Sequence, residues 1–510
     1  MTATLVGTLI YVVGAALAVM VPGNRRRAGV ALASQLLGTL AVMRDVVGVV
    51  AGGAELRAHF AWSYPIQDVP VHLDGLGAVF LAFSLPMTLL GSLYALGYLQ
   101  PYFKRERHVG LHFALLNLVS VSFVMVYTLE NAIAFLFGWE LAALAAWLLV
   151  IWDYHNQRIR FAGFNYLVST HIGLLLLVAA FMILHSRSGA FDFSAFSVAL
   201  HEPGILRDVT FILLVTSFGL KSAFFPFHTW LPRAHSAAPA HVSALMSGVI
   251  HKAGLYALLR FTLLMGEPEP WMAWYLIVFS LGSAFGGVIS TAVQRDLKRL
   301  LGYSSTENVG IAGLGFGVGY LGLIHHRPTM VALGFAGGLL HVVNHALFKC
   351  LLFYGAGAVY RSTHTVDLER LGGLHRKMPW TSRLFLVGAL AICAVPPLNG
   401  FASEFLIYSA MLQGDGHPGV LGLLLLFPVA VLSVVGAISA LSMTRAYGIT
   451  FLGLPRDASV RSHGEARPSM LIPMALHALG VIVVGVVPAL GLALVAAPVR
   501  LLLGSLGGPA

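Results

Sequence analysis

Long apolar runs separated by short polar ones make up almost the whole chain. Stretches long enough to cross a bilayer lie near 3–22, 28–51, 74–98, 109–128, 131–152, 161–185, 207–230, 241–264, 271–293, 299–324, 329–360, 383–413, 418–452 and 469–500. The hydrocarbon layer takes roughly 20 apolar helical residues to span, so these windows predict an all-α polytopic membrane protein of about fourteen helices. The largest interruptions, 52–73, 186–206 and 453–468, are each too short to fold alone. A single integral membrane domain over 1–510 is therefore expected. The first apolar run has no basic residues before it and is followed by Arg25, Arg26 and Arg27, so it reads as a retained helix and not a cleaved signal.

Composition agrees with this pattern. Of the 510 residues 58% are hydrophobic and only 10% charged, too few charges to cover a water-soluble surface of that size. The net charge of +10 would suit nucleic acid, but the basic residues sit in short loops between apolar runs. No nucleic-acid partner is expected. The two cysteines, Cys350 and Cys393, lie in separate apolar runs and have no cluster-ligating spacing. No cofactor is expected in this chain.

Charge also predicts orientation. Loops after odd-numbered spans carry 21 basic residues, among them Arg25, Arg26, Arg27, Lys104, Arg105, Arg107, Arg295, Lys298 and Arg299. The opposite side carries five: Arg57, Arg187, Arg207, Arg327 and Arg500. Basic loops stay on the cytoplasmic side, which puts both termini in the periplasm of an inner-membrane protein. The remaining five, Arg44, Lys221, Lys252, Arg260 and Lys349, fall inside spans.

An ionisable side chain at mid-membrane depth costs several kcal/mol unless it faces protein or water, so it marks a candidate ion path. Glu140, Lys221, Lys252, Lys349 and Glu404 form such a row in chain order. A carboxylate that approaches or leaves a buried lysine changes how firmly the lysine holds its proton. The alternative is a static ion pair that holds helices together. Two spans also carry breakers: Pro226 lies five residues after Lys221, and Pro396-Pro397 with Asn399-Gly400 precede Glu404. Interrupted helices at matching places in two halves point to an inverted-repeat transporter. A plain proline kink remains the alternative for each.

His341, His345 and Lys349 recur every four residues, a stripe about 12 Å long on one helix face. The stripe suits a proton relay, a purely structural set of hydrogen bonds, or, lacking an evident third ligand, a metal least well. His251 and Lys252 are neighbours and point about 100° apart, so only one is expected to face a channel, and Lys252 is the better candidate. His171 and His228 either relay protons or satisfy backbone carbonyls. His235 and His241 are expected in a loop at the cytoplasmic mouth. Gly317, Gly319 and Gly322 fit a dinucleotide fingerprint, but with no preceding strand they read as a close helix-packing surface.

The segments FGWELAALAAWLL, GLKSAFFPFHTWLPRAHSAAPAHVSALMSGVIHKAGLYALLR, QRDLKRLLGYSSTENVGIAGLG, HVVNHALFKCLLFYGAGAV and NGFASEFLIY resemble, in order, the antiporter-like subunits of complex I and its relatives. The likeness runs from about residue 70 to 450, and YSSTENVG resembles the large antiporter-like subunit of hydrogenase-4 and formate hydrogenlyase. The resemblance implies fourteen helices: an N-terminal block 1–108, inverted five-helix repeats over 109–264 (spans 4–8) and 271–452 (spans 9–13), and a last helix in 469–510. Spans 7 and 12 would be broken. It further implies Glu140–Lys221 as a gating ion pair, Lys252 with His345 and Lys349 as the central relay, and Glu404 at the exit. His341 joins the path through its stripe, and His171, His228, His251 and Glu307 are accessory candidates. The long lateral helix and C-terminal extension of some relatives are expected to be missing. The implied function is a proton-translocating subunit, with no catalytic centre of its own, in a complex I-related assembly of the group 4 nickel–iron hydrogenase or formate hydrogenlyase kind. Its partners would be other membrane subunits and a peripheral redox arm. The rival readings are an Mrp-type Na⁺/H⁺ antiporter subunit, an energy-coupling subunit for inorganic-carbon uptake, and a non-conducting scaffold.

Overall fold

Hydrocarbon offers no hydrogen bonds, so apolar segments that enter it must satisfy their amides within helices. The computed structural model describes residues 1–63, 68–103, 109–413 and 419–504, and over them the chain is an all-α polytopic membrane protein with one small hairpin. Lys104, Arg105 and Arg107, counted above among the basic loops, lie outside the described residues. The first helices are α1 (Thr2–Met20), α2 (Asn24–Gly52), α3 (Gly75–Tyr98), α4 (Gln100–Phe103), α5 (Val109–Thr128), α6 (Ala132–Val150), α7 (Gln157–Ser188), α8 (Phe193–His201) and α9 (Ile205–Ser222). There follow α10 (Trp230–Ala237), α11 (Ala240–Leu245), α12 (Lys252–Met265), α13 (Pro270–Ala292), α14 (Leu297–Ile324) and α15 (Pro328–Thr363). The last five are α16 (Pro379–Ile392), α17 (Asn399–Leu412), α18 (Val420–Phe451), α19 (Pro468–Val486) and α20 (Pro488–Gly504).

Thirteen helical segments among the described residues are long and apolar enough to cross a membrane, one fewer than expected. The difference is the window 383–413, which forms the two half-length helices α16 and α17 with a break between them. The window 469–500 likewise divides at Pro488, whose missing N–H ends α19 and starts α20. The interruption 52–73 is not featureless: β1 (Leu56–Phe60) and β2 (Val69–Leu73) pair antiparallel, Leu56 opposite Leu73 and Phe60 opposite Val69. Alternate residues of β2 are buried, as the period of two requires. Within 186–206, α8 forms a short apolar helix.

Both expected breaks are present. After α9 the chain turns at Ala223 (φ 60°) before Pro226, and after α16 it turns at Ala394 (φ 51°) before Pro397. A left-handed alanine costs about 1–2 kcal/mol, so the surrounding protein must hold each turn. Phe225 N–H donates to the Ser283 hydroxyl at 2.9 Å, and Asn344 Nδ2 donates to the Asn399 carbonyl at 2.7 Å.

The chain divides into two compact units. The first holds Met1–Ser92, Leu99–Ser222 and Val249–Glu267, and the second holds Leu93–Tyr98, Ala223–Gly248 and Pro268–Ala510. In the first, α9 packs on α12 at Gly254, where a Cβ would lie 2.5 Å from the Phe218 carbonyl. In the second, α14 packs between α13 and α15. A Cβ at Gly317 would meet Ile277 of α13 at 2.7 Å, and one at Gly319 would meet Phe335 of α15 at 2.7 Å. The glycines of the false dinucleotide motif therefore serve close helix approach, as read from sequence.

Gly310 stands at a tight point of the α13–α14 contact, where a Cβ would lie 2.4 Å from the Ala284 nitrogen and 2.5 Å from the Ser280 carbonyl. Gly310→Val is expected to destabilise the protein by about 1–3 kcal/mol through overpacking. Thermal unfolding of the purified protein in mild detergent measures this, and an unchanged midpoint would disprove the packing role.

Candidate functional site

In the first unit, Asn131 caps α6, its side chain accepting from the N–H groups of Ile133 and Ala134 at 3.0 and 3.2 Å. The helix so anchored presents Glu140 toward α7. Its carboxylate lies 3.3 Å from His171 Nε2, a contact and not an aligned hydrogen bond. Lys221 ends α9 next to the break and is buried. Its ammonium donates to the Trp139 carbonyl at 3.3 Å and sits 4.8 Å over the Trp139 ring. The expected ion pair is thus not closed: among the described residues Glu140 touches His171, and Lys221 holds the backbone one residue away. Glu140 still acts on Lys221 through space.

His251 and Lys252 do not point apart as expected. Lys252 Nζ meets His251 Nε2 at 3.0 Å. The helical period is broken just before them by a π-turn over Met246–Ile250. His235 and His241, expected in a solvated loop, are fully buried in α10 and α11. Pro239 separates these short helices but exposes neither, and the His235 ring stacks on Phe353 at 4.6 Å. His228 stacks on Phe225 at 5.2 Å beside the first break.

The second unit holds the longer polar row. Lys349, wholly buried, donates to the Leu301 carbonyl at 2.8 Å and to the Ser304 hydroxyl. Glu307 is the next charge along α14, and Lys349 and Glu404 both lie within its electrostatic reach. Glu307, read as accessory, thus interacts electrostatically with both Lys349 and Glu404. His341 Nε2 meets Asn308 Oδ1 at 3.2 Å, and His341 Nδ1 meets the Ser403 hydroxyl at 3.0 Å. His345 lies parallel to His341, ring centres 6.5 Å apart. Among the described residues no group of three or more His, Cys, Asp or Glu is arranged for a metal. Ser304, Asn308, Asn344, Asn399 and Ser403 were missed by the sequence reading, because neutral polar residues in apolar runs carry no separate signal. Lys298 was assigned to a loop. It is buried in the first turn of α14 and donates to the Ala238 carbonyl at 2.5 Å, where α10 ends.

Arg260, also within a span, has a different setting. It makes a bidentate pair with Asp74 at 2.7 and 2.8 Å and reaches the Tyr256 hydroxyl at 3.0 Å. From there Glu130 (3.9 Å), His72 (2.9 Å from Glu130) and Glu55 (3.0 Å from His72) carry alternating charge to the surface beside the hairpin. Burial lowers the proton affinity of His72. The Glu130 hydrogen bond and the charges of Glu130, Asp74 and Glu55 outweigh it, so the imidazolium is held above its ordinary 6.5.

Two half-buried or buried acid–base clusters, one beside each helix break, can pass protons between carboxylates, amines and imidazoles. The model of the family described as NADH:quinone oxidoreductase/Mrp antiporter, transmembrane, matches residues 130–427, which contain both clusters. The chain belongs to this family. It is 36% identical over 458 residues to hydrogenase-4 component B of Escherichia coli (strain K12), covering 88% of this chain and 67% of that one. Its fold matches that of a chain in the Mrp complex from Dietzia sp. DQ12-45-1b, TM-score 0.83 at 18% identity over the full length of both. It also matches a chain of the membrane-bound sulfane sulfur reductase, an archaeal respiratory membrane complex, TM-score 0.85 at 21% identity over 99% of this chain and 98% of that one. The chain is an antiporter-like membrane subunit, and these relatives are parts of multi-subunit membrane assemblies.

Asp74→Ala leaves Arg260 buried without its partner and is expected to cost about 3–5 kcal/mol, partly recovered by adding Arg260→Met. Equal unfolding midpoints for wild type and Asp74→Ala would contradict the lock. The His72 imidazolium contributes stability in full below pH 6.5, and that contribution is lost as pH rises through its raised folded value. The unfolding midpoint of the wild type should therefore fall more across that window than that of His72→Gln. Parallel curves would refute the contribution.

Proposed function

We propose that the chain translocates protons as a non-catalytic subunit of a complex I-related redox assembly of the membrane-bound nickel–iron hydrogenase or formate hydrogenlyase kind. The assembly would sit in a bacterial inner membrane with both termini of this chain in the periplasm, as the asymmetry of basic loops supports. The observation that carries the reading is the burial of Lys221, Lys252, Lys349, Glu307 and Glu404 inside helical spans, with Lys221 and Glu404 flanking the two breaks. Packing alone does not require five such charges, and irregular backbone in a membrane belongs where it lines a path or is covered by protein. In this reading 109–264 and 271–452 are the two inverted repeats. Glu140 closes on Lys221 in one state and leaves it in another, Lys252, His341, His345, Lys349 and Glu307 relay protons, and Glu404 releases them.

Oxidation and reduction would occur in a peripheral arm carried by partner subunits, whose signal drives the first pair. The likeness to hydrogenase-4 component B over most of the chain favours this assembly. An Mrp-type Na⁺/H⁺ antiporter subunit is the second reading, favoured by the shared family and by the fold likeness to the Mrp chain.

Mild-detergent purification from the native host, with identification of the co-purifying subunits, tests the assembly. Hydrogenase or formate dehydrogenase subunits support it, and Mrp-like subunits replace it with the second reading. Lys221→Ala is expected to lower proton uptake in native vesicles by about tenfold or more while the complex still assembles. Normal uptake and normal turnover in that variant would count decisively against proton translocation.

A further inference from the structure

The geometry at Glu140 leads one step past the gating pair, and the step rests on the transport reading above. His171 Nδ1 lies 2.9 Å from the Leu167 carbonyl, one helical turn back. A carbonyl oxygen only accepts, so Nδ1 carries a hydrogen. His201 and His477 make the same turn-back contact, with the Ser197 carbonyl at 2.6 Å and the Pro473 carbonyl at 2.7 Å. In neutral imidazole the other nitrogen, Nε2, is then a bare lone pair. That lone pair faces a Glu140 oxygen at 3.3 Å. An ionised carboxylate has only lone pairs as well. Two acceptors at this distance repel, so the contact is favourable when a proton sits on Nε2 or on the carboxyl.

We infer that His171 and Glu140 jointly hold one proton, and that loading and unloading this proton decides whether Glu140 is free to pair with Lys221. In the loaded state seen here, Glu140 is engaged by His171 and Lys221 rests on the Trp139 carbonyl and ring. On unloading, the Nε2–H or O–H bond breaks and the proton leaves. The carboxylate, now facing a lone pair, turns to the Lys221 ammonium. Charge balances: a pair carrying one proton becomes neutral imidazole plus carboxylate and one released proton. His171 is the less buried of the two, its side chain 44% exposed against 20% for Glu140. The other titratable groups around the pair are Lys221 on α9 and Tyr166, one turn before His171 on α7. His171 is thus a positioning and loading residue for Glu140.

The test uses the full chain, labelled with ¹⁵N-histidine and ¹³C-glutamate, in phosphatidylethanolamine–phosphatidylglycerol liposomes. Solid-state NMR reads the two His171 ring nitrogens, assigned by their loss in His171→Gln. Nδ1 should be protonated throughout, and Nε2 should lose its proton or its hydrogen bond in step with a change at the Glu140 carboxyl carbon. In Glu140→Gln, whose amide donates to Nε2, His171 should stay the neutral Nδ1–H form over the same pH range. An Nε2–H tautomer, or neutral His171 beside ionised Glu140 in the contact geometry, overturns the shared proton. Proton flux driven by a potassium diffusion potential in the same liposomes should fall about tenfold or more in His171→Gln. Normal flux in His171→Gln beside impaired flux in Lys221→Ala overturns the gating role alone. Normal flux in Lys221→Ala, whatever the NMR result, defeats the transport reading on which this rests.

Discussion

An amide left without a partner in hydrocarbon costs several kcal/mol, and the two places where this chain abandons the helix inside a span are arranged around that cost. Proline is the economical residue there, having no N–H to satisfy, and both breaks carry it. What proline leaves over is met by side chains: Ser283 for the Phe225 N–H, Asn344 for the Asn399 carbonyl, and Ser403 for the Gly400 carbonyl at 3.0 Å. Those hydroxyls and amides make the breaks polar, and a polar lining is what lets a charge reside at that depth. Backbone satisfaction and the burial of charge therefore have the same structural origin.

The buried cations divide by the chemistry of their contacts. Arg260 presents a planar fork that matches Asp74 through two bonds, a geometry with one good solution and no easy second one. Lys221 and Lys349 are single, rotatable ammonium groups on carbonyl and hydroxyl oxygens, contacts that can be exchanged for a carboxylate at little cost. The arginine is suited to hold the hairpin and α12 together. The lysines are suited to change partners.

The spans and both breaks were legible in the sequence, because apolar length and proline are strong local signals. The hairpin was less so: Pro70 and the short run of residues around it hid the alternation. Asp74 and Arg260 lie 186 residues apart, and nothing local in either segment names the other. Arg260 shows in the sequence only as a cation inside a span, and Asp74 carries no signal of its own. The burial of His235 and His241 was missed because AHSAAPAH has the composition of a loop, whereas each histidine sits in a short helix packed inside the second unit. The His251–Lys252 contact is not legible in the sequence, because a π-turn interrupts the period of 3.6 just before these residues.

The same contacts bear on which ion suits this path. A sodium ion needs several oxygen ligands in place of its water shell, of the kind carbonyls, carboxylates and hydroxyls provide. In the second unit the Leu301 carbonyl and Ser304 hydroxyl already accept from Lys349, and the Asn308 side chain is divided between the Ser304 carbonyl and His341. An ammonium occupying the oxygens a metal would need also repels it. Sodium binding there would require Lys349 to be neutral or withdrawn, whereas a proton requires only that the bond already present change hands. Under the proposed transport reading, the arrangement of this row thus suits a proton better than a sodium ion.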